Sequence, residues 1–295
     1  MGKSYVIGIG APKAATTSLF DVLKHHPDLC ASKIKETHFF SNYYDKGLDF
    51  YYKKYFHHYN NEVYLFECST GYLPTKSTAK RIRDSLEGTI KIIAMIRQPV
   101  DRAYSHYRMT KSWGIEKRSF VDAFYNEEES EKAYNEGKSD YMFHWDFKYK
   151  SNGLYFEQLE EYYKVFPKED ILVILYDDFA KNQEKVISEV TTFLGIKDSS
   201  LTLKHSNKGK VAKYPSITRL FYKRSKFKEV FKKFSPLFFR NFLRKLLLNT
   251  TRKEGSKDVL SLDVKKELTK VYQEDINHLI SNYHLDVEHW LYENE

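Results

Sequence analysis

The chain has 295 residues, enough for one large α/β domain or two small ones. Its 41% hydrophobic and 30% charged residues provide a sizeable core and a solvated surface, which excludes wholesale disorder, and no segment approaches the length of a membrane span. The net charge of +8 is local: Lys204 to Lys257 holds seventeen Lys/Arg and two Asp/Glu, leaving the remainder at −7.

In chain order, YVIGIG (5–10) reads as a buried strand, and Thr16 or Thr17 caps a helix running to about His25. VYLFE (63–67) is the next strand, followed by a helix over 77–86. IKIIAMI (90–96) is the third, and Pro99 suits the first position of a helix through Met109. Residues 127–149 are polar, aromatic and weakly periodic, which predicts an excursion over a site rather than core. Helical spacing returns at 153–166, a fourth strand at 171–176, and a helix at 182–195 closed by Gly195. A last helix covers about 263–283. Strands alternating with helices predict one domain over 1–295, a P-loop-like three-layer α/β/α fold with a central parallel sheet and a C-terminal helical segment.

GIGAPKAATTSL (8–19) follows the first strand and nearly matches a nucleotide-binding GxxxxGK[ST] loop, except that Lys13 stands three residues before Thr16. At the carboxyl end of a parallel strand, small residues bring backbone N–H groups close to an anion, and the helix N-terminus adds partial positive charge. Ala14 and Ala15 allow close approach, Lys13 adds a point charge, and Thr16, Thr17 and Ser18 add hydroxyl donors. The displaced lysine disfavours a triphosphate with its magnesium ion. Asp177 and Asp178, after the fourth strand, imitate a metal-holding pair but read more simply as a solvated acidic turn. Arg97 follows the third strand at the same sheet edge, with Ser105 eight residues on; an arginine fork plus a hydroxyl suits a second phosphate. Arg102 and Arg108 read as surface or ion-paired arginines.

With these two elements the chain resembles the 3′-phosphoadenosine 5′-phosphosulfate (PAPS)-dependent sulfotransferases, especially the branch of heparan sulfate sulfotransferases and bacterial relatives. Supporting segments run in order along the chain: HHPDLCASKIKETHFF (25–40), FECSTGYL (66–73), residues 153–179, FLG (193–195) and NKGK (207–210). The resemblance implies that Lys13 with Ala14 to Ser18 binds the phosphosulfate and that Arg97 with Ser105 binds the 3′-phosphate. It also implies that Lys208, Gly209 and Lys210 clamp that phosphate and that Tyr155 lines the nucleotide pocket. Glu36 is the expected base, His38 its companion at the acceptor, Glu67 an acid positioning the acceptor, and Lys13 the group at the departing oxygen. The co-substrate is PAPS, the product adenosine 3′,5′-bisphosphate, and no metal is expected. Family enzymes carry a lysine where this chain has Cys68, so Lys33 or Lys35 is a candidate substitute. The implied activity is transfer of a sulfuryl group to a hydroxyl or amine acceptor, on a carbohydrate, lipid-linked molecule or small metabolite.

Within the basic segment, a helical insertion at about 215–255, phenylalanines at 227, 231, 234, 238 and 242 recur at steps of three or four among lysines. They read as a packed helical hairpin, or as a peripheral membrane or polyanion contact through 217–250; no nucleic-acid-binding motif is present. No secretory leader is legible, and two cysteines lack both disulfide and metal spacing, so a cytoplasmic setting is expected. Two other classes stay open: a Mg/ATP-dependent small-molecule kinase with a divergent loop, and a non-catalytic basic binding module.

Overall fold

The computed structural model describes residues 3–139, 141, 143–197 and 259–292, with the backbone of 210–212 and 252–254. In chain order its elements are β1 (Ser4–Gly10), α1 (Thr16–Leu23), β2 (Leu29–Ala31), α2 (Phe39–Asn42), α3 (Gly47–Tyr55), β3 (Tyr64–Cys68) and α4 (Ser77–Ser85). There follow β4 (Ile90–Ile96), α5 (Pro99–Ser112), α6 (Phe120–Tyr125), α7 (Glu127–Asn135), α8 (Tyr155–Tyr163), β5 (Ile171–Leu175), α9 (Tyr176–Lys181) and α10 (Gln183–Leu194). The last are β6 (Lys210–Ala212), β7 (Arg252–Glu254), α11 (Leu262–Thr269) and α12 (Gln273–Tyr283). Contacts divide the chain into two compact units: residues 1–102, 154–206 and 266–295, and residues 103–153 and 207–265. No helix among the described residues is long and apolar enough to cross a membrane.

The first unit is built on a parallel five-stranded sheet of order β2-β3-β1-β4-β5, flanked by helices. β1 and β4 are central and covered on both faces, which is why their sequences are unbroken apolar runs: Val6, Ile7, Ile9, Ile92, Ala94, Met95 and Ile96 are fully buried. After β1 the chain leaves toward β2, and after β4 it leaves toward β5, so the order reverses between these two neighbours. In open parallel sheets the carboxyl ends at such a reversal form the ligand crevice. Gly8 is required where β1 passes β3, because a Cβ there would lie 2.8 Å from Cys68 Sγ. The expected α/β/α architecture, its parallel sheet and a helical C-terminal segment are all present.

Several local expectations are corrected. β2 was not legible, since its three residues are too few to show a period. Neither Thr16 nor Thr17 caps α1; Ala15 precedes it in a left-handed conformation with φ 65°. The fourth strand ends at Leu175, where Tyr176 begins α9. The single helix expected over 263–283 is broken by a tight turn at Lys270–Tyr272. Arg102, read as surface or ion-paired, is fully buried, which overturns the surface alternative.

The second unit overturns the reading of 127–149 as an excursion. Tyr141, Trp145, Phe147 and Tyr149 are buried. The hydroxyls of Tyr141 and Tyr149 are satisfied by a buried carboxylate, so aperiodic aromatics form core from loop positions. Glu116 accepts from Tyr141 OH at 2.7 Å and from Arg118 Nη2 at 2.9 Å. Burial pushes the Glu116 pKa up, but Arg118 and Tyr141 outweigh it and hold it at about 2. Glu127 similarly ties down the backbone amides of Lys150 and Ser151. β6 and β7 pair antiparallel, with Lys210 opposite Glu254. Lys208, Gly209 and the aromatic run at 217–250 lie outside the described residues, and Arg252–Glu254, at the end of the expected helical insertion, is a strand.

Candidate active site

Within the first unit, the carboxyl ends of β3, β1 and β4 carry three chemical elements side by side. The turn after β1 holds Lys13 at φ 74° and Ala15 at φ 65°. α1 then starts with no side-chain cap and no acid in its first turn. Its first turn thus brings neither a capping side chain nor an acid of its own to the helix's positive end, a start suited to an anion. Ala14 and Thr16 are buried, Lys13, Ala15 and Ser18 half-buried, and Thr17 exposed.

Arg97, just past β4, joins this turn directly: its Nη1 donates to Lys13 O at 3.3 Å. Its guanidinium lies 4.4 Å from the ring centre of Tyr176, a cation–π contact that orients the fork. Tyr155, expected in the pocket wall, is fully buried and donates its OH to Arg97 O at 2.7 Å. It supports Arg97 from behind. Ser105 is half-buried on α5, in the part of that helix belonging to the second unit.

The third element is the loop before α2. Glu36 (φ 64°) and His38 (φ 51°) are both left-handed, and the Glu36 amide donates to Cys68 O at the end of β3 at 2.9 Å. Glu36 Oε2 accepts from Thr70 N at 2.7 Å, Thr70 Oγ1 reaches the same oxygen at 3.1 Å, and Lys35 Nζ pairs with Oε1. Burial pushes the Glu36 pKa up, but the Lys35 ammonium, His38 and the Thr70 amide together hold it below the ordinary carboxylate value. His38 Nε2 stands 4.0 Å from Oε2, and burial lowers the His38 pKa, leaving a neutral imidazole at neutral pH. Four of the six described non-glycine residues with positive φ lie in these two loops. Each costs on the order of 1–2 kcal/mol, a concentration of strain of the kind found at functional sites.

What holds the Glu36 loop is Glu67. Expected at the acceptor, it is instead fully buried and accepts from Thr37, Tyr51 at 2.8 Å, Ser69 at 3.1 Å and Tyr72 at 3.1 Å. Two of those hydroxyls bind the loop backbone in turn, His38 N donating to Ser69 Oγ at 3.1 Å and Phe40 N to Tyr72 OH at 3.3 Å, and separately Tyr55 OH donates to Thr37 O at 3.2 Å. Burial raises the Glu67 pKa despite these donors. Cys68 packs against Gly8, Thr16 hydrogen-bonds to its thiol, and burial pushes its pKa up to about 12, an inert thiol. Asp177 is engaged elsewhere, accepting from Trp290 Nε1 at 2.9 Å with His289 Nε2 at 3.2 Å. Thr70 and Tyr176 were missed. The hydroxyl run CSTGY hinted at Thr70, whereas nothing local marks Tyr176.

A profile of the sulfotransferase domain matches residues 3–278. The membrane-associated sulfotransferase kil1 of Dictyostelium discoideum is 26% identical, covering 64% of this chain and 55% of its own length. Human heparan sulfate glucosamine 3-O-sulfotransferase 3B1 is 28% identical, covering 72% of this chain and 50% of its own. The chain thus spans about half the length of these relatives. The crystal structure of a sulfotransferase from Alicyclobacillus acidocaldarius shares the fold, with a TM-score of 0.69 and 24% identity over 98% of this chain and 99% of that one. The chain belongs to the sulfotransferase-domain family.

Proposed function

We propose that the chain transfers a sulfuryl group from PAPS to a hydroxyl or amine acceptor, with Glu36 as base and Lys13 at the departing phosphate oxygen. Arg97 and Ser105 take the 3′-phosphate in this reading. The observation that carries it is the juxtaposition of the Lys13 turn, Arg97 and an ionised Glu36 at the ends of three adjacent strands. Two cations, three hydroxyls and a helix start free of acids fit a ligand with phosphates at both ends of a ribose.

When bound, the nucleotide supplies the sulfuryl group, its sulfur–oxygen bond to phosphate breaking as the acceptor's bond to sulfur forms. Glu36 receives the proton the acceptor loses, and Lys35 and Thr70 keep its carboxylate ionised to do so. Lys13 places its ammonium where negative charge develops, which lowers the barrier electrostatically. His38 hydrogen-bonds the acceptor as a neutral imidazole. Relatives named as heparan sulfate glucosamine 3-O-sulfotransferases support a sugar hydroxyl as the first acceptor class to try.

Thermal stability with adenosine 3′,5′-bisphosphate or with magnesium-ATP separates this from a kinase. Stabilisation by the bisphosphate, lost in Lys13→Ala, is expected. Stabilisation by magnesium-ATP alone would overturn the reading.

A further inference from the structure

Lys35 and Glu36 are consecutive, and side chains of consecutive residues in extended backbone point apart. Here the left-handed turn at Glu36 folds them together, so that Lys35 Nζ donates to Glu36 Oε1. The Lys35 side chain is only 13% exposed, whereas Lys33 two residues earlier is exposed. An ammonium taken out of water needs a charged partner, and Glu36 is the carboxylate beside it. On the other oxygen, the Thr70 amide and hydroxyl close the arrangement. The carboxylate is thus gripped at both oxygens, by a side chain from its own loop and by the turn after β3.

We propose that Lys35 is the positioning residue of the proton-accepting group, its ammonium fixing one oxygen of Glu36 while Thr70 fixes the other. The proposal rests on the sulfotransferase reading and assigns a task that the reading leaves open, since Cys68 at the end of β3 offers no cation. The groups that act on the pair are His38 from the same loop, Cys68 from β3 and Asp21 from α1. Of these and Lys35, only Lys35 is a permanent cation at neutral pH. His38 is held neutral by burial, and the Cys68 thiol stays protonated. Removing the ammonium leaves burial to dominate, which moves the Glu36 titration to higher pH.

The test uses the full chain, unsubstituted and as Lys35→Met and Lys35→Arg. Carboxyl carbon-13 NMR, with the Glu36 signal identified by its loss in Glu36→Gln, follows the titration directly. Sulfur-35 label passed from PAPS into a host-cell extract gives the pH profile of turnover. Lys35→Met is expected to move both the titration and the acid limb of turnover to higher pH, with label transfer at pH 6 down about tenfold. Lys35→Arg, which keeps the cation, stays near the original in both. Stabilisation by adenosine 3′,5′-bisphosphate, unchanged in all three, shows that the donor side and the fold persist. An acid limb unmoved in Lys35→Met would overturn the proposal alone. Absence of transfer by the unsubstituted chain would overturn the sulfotransferase reading, and the base assignment with it.

Discussion

Gly8 shows how one atom can govern the site. A Cβ at this position would lie 2.8 Å from Cys68 Sγ and 2.9 Å from Cys68 Cβ, too close for any rotamer change to relieve. Cys68 would have to move, and its carbonyl is the acceptor for the Glu36 amide. Gly8→Ala is therefore expected to lose about 1–3 kcal/mol in urea unfolding. It should also weaken label transfer while leaving Arg97 in place. Combining it with Cys68→Gly removes the obstructing atoms and should recover part of both losses. A Gly8→Ala protein as stable as the original would show that β1 and β3 are not packed this closely. At the same scale, Lys35, Thr70 and Glu36 illustrate why a base can remain ionised while half-buried: local donors outweigh desolvation.

Helices reach the site through their ends. α8 begins without a cap of its own, since Leu154 precedes it. Asp275 on α12 supplies the cap, accepting from Tyr155 N and Phe156 N at 3.0 Å each. The capped residue Tyr155 is the one that holds the Arg97 carbonyl, so this carboxylate braces the arginine side of the edge. Burial raises the Asp275 pKa from 3.8 to about 6, the two amides offsetting only part of the cost. With a folded pKa above the unfolded one, the folded state binds the extra proton between these values. Stability is thus gained as pH falls through about 6 toward 3.8 and lost as it rises again. Relative to Asp275→Asn, the original protein should gain up to about 2 kcal/mol between pH 7.5 and pH 4.5, read from urea midpoints. Parallel pH curves for the two proteins would remove Asp275 from this role.

Across the whole molecule, the sheet was legible because central parallel strands are continuous apolar runs, and β1, β3, β4 and β5 announced themselves that way. β2 did not, because three residues carry no period. The nearness of Arg97 to the Lys13 turn followed from both lying at strand ends, and the hydrogen bond between them is consistent with that inference. Glu67 escaped correct placement because its partners Thr37, Tyr51, Ser69 and Tyr72 are spread over three segments, and only tertiary structure gathers them. The burial of Arg102 and of the aromatics at 141–149 was hidden for the same reason: composition suggests surface, and pairing with buried partners decides otherwise.

The central claim is that this sheet edge moves a sulfuryl group with Glu36 as the base. Sulfur-35-labelled PAPS, incubated with a host-cell extract and either the original chain or Glu36→Gln, tests it most directly. Label should enter an acceptor with the original chain and fall by about 10²–10⁴-fold with Glu36→Gln. Both proteins should remain equally stabilised by adenosine 3′,5′-bisphosphate. Equal labelling by the two proteins, or none by the original, would contradict the claim.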